Sequence, residues 1–241
     1  MCALPSRDQV YSVSRNALLK CIAATALSVS LAANAGSISV APLRLIYTSG
    51  TVIAAITVEN SGREEALVQT ETFAWTQLNG EHKLAPTDDV VAVPPVFRLA
   101  PGQKQLVRVG LTRAFTEVQE QTFRLTVTEV PTAVKPGTVA VAVRHSLPIF
   151  VQPASPLSSK LAVNRGATNT LAIANNGGQH IHIHGWRLRD NSGAVVVEES
   201  GPGYLLAGTH LAIAIAGARV AGPLTFEADS SGGTTKIAVA E

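Results

Sequence analysis

From Gly36 onward the chain alternates short runs of Val, Ile, Leu and Thr with clusters of Gly, Pro and Asn, at intervals of roughly 8 to 15 residues. No stretch holds an apolar rhythm at i, i+3, i+4 for three turns, so the pattern predicts strands throughout and an all-β fold. The first half predicts strands over residues 38–47, 52–58, 67–78, 105–111, 122–130 and 138–151. In QLVRVGL the side chains of Val107, Val109 and Leu111 share one face, and in TFRLTVTEV those of Phe123, Leu125 and Val127 do the same. Each strand is expected to have one core side and one wet side, as in a sandwich.

A second, smaller set of strands follows the Pro- and Ser-rich stretch QPASPLSS at residues 152–159, which reads as a linker with a boundary near Pro153. The halves echo each other. TVENSG around Asn60 resembles AIANNGG around Asn175, and the turn at Gly102 resembles the turn at Gly208. This duplication predicts two tandem immunoglobulin-like β-sandwich domains, residues 36–153 and 154–241.

Residues 1–35 have a different character. Arg15 and Lys20 precede the apolar stretch CIAATALSVSL, which is followed by the small-x-small sequence Ala33-Asn34-Ala35. This is the form of a cleaved signal peptide ending at Ala35, and the stretch is too short and too rich in Ala, Ser and Thr for a membrane anchor. Both cysteines, Cys2 and Cys21, fall in the leader, so the mature chain is expected to have no disulfide and no thiolate chemistry. Losing Arg7, Arg15, Lys20 and Asp8 brings the net charge from +2 to about zero. With only three Tyr, six Phe and two Trp besides, nucleic acid is not an expected partner.

No nucleophile motif, metalloprotease helix, phosphate-binding loop or dinucleotide fingerprint occurs, so the chain is not read as an enzyme, and neither a cofactor nor a small-molecule substrate is expected. Asp88-Asp89, Glu64-Glu65 and Glu198-Glu199 read as solvated turns. The sequence HIHIHGW sets His180, His182 and His184 on one face of a strand and Ile181 and Ile183 on the other. Two readings stand there: a metal-binding β-sandwich protein, or a strand whose isoleucines enter the core while its histidines do not.

The segment TVAVAVRHSLPIFV, residues 138–151, aligns Val139, Val141 and Val143 at strict period two, with Ala140 and Ala142 between them. It reads either as an internal strand or as an edge strand that offers a row of apolar side chains to a partner. Periodicity alone leaves both open.

The run PPVFRLAPGQKQLVRV, residues 94–109, resembles the signature of PapD-like periplasmic pilus chaperones. Further similarities follow chain order: LRLIY at 43–47, VENSG at 58–62, FAW at 73–75, TEVP at 128–131 and LPIFVQP at 147–153. The resemblance spans the mature chain, more strongly in its first half, and is greatest to the archaic branch serving Csu and spore-coat-U-type pili.

The resemblance implies an L-shaped (boomerang) pair of immunoglobulin-like domains in the periplasm. Such a protein binds pilin subunits by donor-strand complementation and delivers them to an outer-membrane usher. The donor residues would be Val139, Val141 and Val143. Arg44 in LRLIY matches one of two basic residues that anchor the subunit's terminal carboxylate. Pro148 stands where the second, a Lys, is usual, leaving Arg108, Arg124 and Arg144 as basic residues that could replace it. Glu129 and Asp229 match acidic positions that hold the interdomain angle, and Pro94-Pro95 matches a turn that can contain a cis peptide. A pilus or coat subunit is the structural alternative; it would normally be one domain with a donor extension. Weak self-association of the unliganded protein is also expected, because an uncovered valine ridge favours it.

Overall fold

The computed structural model describes residues 38–131, 142–155, 157–166, 169–215 and 222–240, and its regular elements are all β-strands. The single strand expected over residues 38–47 is two. Strand β1 (Ile38–Ala41) pairs antiparallel with β3 (Ile53–Asn60), whereas β2 (Leu45–Tyr47) pairs parallel with β10 (Arg144–Val151) in the facing sheet. Pro42 lies between them, after a cis Ala41–Pro42 peptide. Having no N–H, proline does not extend a ladder, and here the chain leaves one sheet for the other.

The first sandwich packs two sheets. One has the order β1-β3-β8-β6, with β8 at Lys104–Leu111 and β6 at Val90–Val93. The other has the order β2-β10-β9-β4-β5, with β9 at Gln121–Val130, β4 at Ala66–Leu78 and β5 at Glu81–Pro86; β7 (Val96–Leu99) also pairs with β4. Ile56, Val58, Val107, Val109, Leu125 and Ile149 fill the space between. The buried Tyr47 hydroxyl donates to the Val109 carbonyl at 2.6 Å, tying the sheets together, and burial pushes its pKa up to about 12. The wet side expected for β9 is partly covered: Thr126 is buried, and Arg124 folds over Trp75 with its guanidinium 3.8 Å from the ring centroid.

The connection from Val151 to Leu161 leads into a second sandwich. There β11 (Leu161–Arg165), β12 (Thr170–Asn175) and β15 (His210–Ala214) face the sheet β14-β13-β16-β17. In the latter, β13 is Ile181–Arg189, β14 Val195–Leu205, β16 Thr225–Ser230 and β17 Gly233–Ala238. Ile173, Ile183, Leu188 and Phe226 are fully buried, and Trp186 stacks on Phe226 at 5.6 Å.

The internal echo is physical. The fully buried Asn60 donates its side-chain amide to Leu99 and Glu64 carbonyls, accepts from Gly62 N–H, and offers its backbone carbonyl to Gly102 N–H. Asn175 repeats this with the Leu205 and Gln179 carbonyls, Gly177 N–H and Gly208 N–H. Gly102 and Gly208 both take positive φ, +75° and +68°, as these turns require.

Candidate functional site

Strand register aligns the basic candidates. Pro148 on β10 lies opposite Arg124 on β9, which in turn lies opposite Phe73 on β4. On the other side of β10, Ile149 pairs in parallel with Leu45, so Arg44, one residue earlier, stands level with Pro148. Because Leu45 and Tyr47 enter the core, Arg44 and Ile46 take the outer face, and both are exposed. The result is a transverse row, Arg44–Pro148–Arg124–Phe73, in which the proline has a guanidinium-bearing residue on either side. With strands about 4.8 Å apart, the two arginine backbones are about 10 Å from each other, within reach of one bidentate anion for side chains of this length.

The other candidates stand elsewhere. Arg108 is on β8, opposite Ala55 and Val93 in the facing sheet, so its exposed side chain is on the opposite surface of the sandwich and does not join Arg44. Arg144 shares the face of Pro148 but stands four residues earlier on β10, about 13 Å away at strand rise, with its guanidinium 6.0 Å from the Phe73 ring centroid.

Beside the row, β10 changes from open to covered. Residues 149–151 have β2 on one flank and β9 on the other, whereas residues 144–148 are paired only with β9 among the described residues. Among the described residues that flank is an edge. An added strand there would lie on the line of β2, and if it ran parallel to β10 its C-terminus would arrive at Arg44. Val139 and Val141 lie outside the described residues; Val143 is half-buried just before β10, its carbonyl accepting from Glu129 N–H.

One end of this face meets the second sandwich. Trp75, Phe150 and Leu206 form a buried cluster with Tyr204 packed against it; Tyr204 is edge-on to Trp75 at 5.5 Å. Gln77 reaches across with both ends of its amide: its nitrogen donates to the Tyr204 carbonyl at 3.0 Å, and its oxygen accepts from Leu206 N–H and the Thr209 hydroxyl. Glu120 N–H donates to the Gly178 carbonyl, and the Glu120 carboxylate meets both the N–H and Nδ1 of His180. These contacts join the two sandwiches among the described residues. Glu129 sits toward the other end of β9, and Asp229 accepts from Arg187 and Thr234 within the second sandwich. Neither Gln77 nor Glu120 is evident from sequence pattern alone. The available signal for Glu120 was an acid immediately before a strongly alternating strand, together with an otherwise unexplained His180.

The histidines divide by position. Ile181 and Ile183 are buried as expected, which turns the imidazoles to the other face. His180 stacks on Phe150 at 3.5 Å and 8°, its side chain only 10% exposed. His182 stacks on Tyr204 at 4.1 Å and 9°, and the exposed His184 lies edge-on to His182 with Nε2 3.2 Å from Ser231 Oγ. Among the described residues no group of three or more His, Cys, Asp or Glu is arranged to hold a metal ion.

Two paired immunoglobulin-like sandwiches joined in this way are a fold that solved structures share. A chain of the chaperone–tip adhesion subunit pre-assembly complex from archaic chaperone-usher Csu pili of Acinetobacter baumannii matches with a TM-score of 0.66 and 19% identity, covering 86% of this chain and 100% of that one. Residues 37–156 match the family described as "Pili and flagellar-assembly chaperone, PapD N-terminal domain". Chaperone protein LpfB of Salmonella typhimurium is 26% identical over 148 residues, 59% of this chain and 61% of that protein. Chaperone protein PapD of Escherichia coli is 30% identical over 86 residues, 34% of this chain and 36% of that protein. The match with LpfB thus spans about three-fifths of that relative's length. The chain belongs to the PapD-like pilus chaperone family.

Proposed function

We propose that this protein is a periplasmic chaperone for pilus subunits, exported by a leader ending at Ala35. It lends strand β10 and the preceding valines to an incomplete subunit and releases that subunit to an outer-membrane usher without a cofactor. The observation that carries this reading is the half-open flank of β10 ending at a pair of arginines. An incoming strand parallel to β10 gains main-chain hydrogen bonds along residues 144–147, and its terminal carboxylate meets Arg44 and Arg124. Val139, Val141 and Val143 then fill the groove of the subunit. Each fully buried valine contributes about 1.5 kcal/mol or more before ordering costs. Pro148 has no N–H to offer at the row itself.

The test is recovery of the subunit with the tagged mature chain from its own periplasm. The native chain and Arg108→Ala should each bring down a small secreted subunit, whereas Val141→Asp, Arg44→Ala and Arg124→Ala, each checked for folding, should lose it. Recovery undiminished by both arginine variants would remove them from the carboxylate site. Failure of the native chain to recover a subunit from cells expressing the pilus would overturn the chaperone reading. Sedimentation of the unliganded chain checks the expected weak self-association, which a strict monomer at high concentration would contradict.

A further inference from the structure

We propose that His182 of the second sandwich is a third, protonatable donor in the carboxylate site, so that subunit capture takes up a proton and tightens on acidification. This rests on the reading of Arg44 and Arg124 given above. Three observations carry it. Burial of Ile181 and Ile183 turns the ring of His182 out of its own core on the side that meets the first sandwich. There it stacks on Tyr204, whose ring lies 5.6 Å from the Arg124 guanidinium, so a continuous stack joins the imidazole to the row. Finally, His180 is committed to Glu120 and Phe150, and His184 is exposed beside Ser231, whereas His182 is half-buried with no hydrogen-bond partner among the described residues.

The surroundings set its charge. His180 and His184 flank it on β13, Tyr204 faces it from β14, Arg124 approaches from β9 and Arg44 from just before β2; on β16, Asp229 is already bonded to Arg187 and Thr234. Burial, then the two neighbouring imidazoles and the two arginines, hold its pKa below the ordinary imidazole value, so the empty site keeps it neutral at pH 7. A carboxylate between Arg44 and Arg124 offsets both cations and adds an anion, raising that pKa. The gain in affinity is therefore complete below the value of the empty site and is lost as pH rises through the value of the occupied one.

The test uses the purified mature chain and an N-terminally fluorescein-labelled peptide of about eleven alternating Val and Thr residues with a free C-terminal carboxylate, beside its amidated twin. Anisotropy gives Kd at about pH 5.5 and about pH 7.5, either side of the ordinary imidazole value. The native chain should bind the carboxylate peptide about five- to tenfold tighter at the lower pH, since each restored pKa unit is worth up to tenfold. The amidated peptide should show no such gain. His182→Gln, and His182→Phe, which keeps the stack on Tyr204, should abolish the gain yet retain the preference for carboxylate over amide. An undiminished gain in both variants overturns the role of His182 alone. Equal binding of the two peptides by the native chain overturns the arginine site and this inference with it.

Discussion

Glu227 is the most heavily countered carboxylate in the second sandwich. It is 2% exposed in mid-strand, with Lys236 at 2.8 Å, Arg189 at 3.0 Å and Arg187 at 3.7 Å. Lys236 and then Arg189 hold its pKa below the ordinary carboxyl value. A lowered carboxyl contributes stability above the ordinary value, and that contribution drains away as pH falls through the lowered one. The Tm of the native chain should therefore drop more between about pH 5 and about pH 3 than that of Glu227→Gln; parallel curves would show that the ion pairs do not couple to folding. Other single residues were legible from sequence. Asn60 and Asn175 stand out because each lies in a repeated polar-glycine motif, and each proves to be a fully buried amide wired to a turn. Glu227 was not, since its partners lie on two other strands, Arg187 and Arg189 on β13 and Lys236 on β17.

At the level of elements, alternation revealed the long central strands and missed β5, β6 and β7. The latter two have four residues each, too short for a period to register, and β5 is exposed throughout, so no apolar face marks it. Its turn was nonetheless written in the chain. Asn79 and Gly80 both have positive φ, +52° and +84°, as an Asn-Gly hairpin turn demands. The arginine row shows the converse limit: composition offered several arginines, and only register distinguishes Arg124, opposite Pro148, from Arg108 on the other sheet. The hairpin tip also has a long-range duty, because a Cβ on Gly80 would sit 2.9 Å from the Leu211 Cβ of the second sandwich. Gly50 takes a similar φ, +83°, over open space. Gly50→Ala should therefore lose about 1 kcal/mol from backbone strain alone, and Gly80→Ala should lose about 2 kcal/mol or more. Equal losses in denaturant unfolding would mean that the hairpin does not press on its neighbour.

For the molecule as a whole, the duplication predicted two sandwiches, and the family resemblance supplied acidic positions for their junction. The contacts seen among the described residues were not legible, because a junction is built from residues far apart in sequence: Gln77 and Glu120 meet Tyr204, Leu206, Thr209 and His180 across separations that no local pattern encodes. Gln77 is the most informative of them. The residue is 9% exposed, and its amide answers a carbonyl, an N–H and a hydroxyl of the second sandwich. Truncation to alanine strands the Leu206 N–H and Tyr204 carbonyl beside the aromatic cluster, at a cost of about 2 to 4 kcal/mol. That cost falls on the contact between the sandwiches and leaves the core of each intact. Calorimetry of Gln77→Ala should accordingly resolve two unfolding transitions where the native chain is expected to show one. Because Tyr204, with His182 stacked on it, lies near Arg124 only while the sandwiches stay engaged, the same variant should lose the proposed acid-dependent gain in peptide affinity yet keep its arginine-dependent preference for a carboxylate. A single transition with the gain intact would show that the aromatic cluster holds the junction without Gln77.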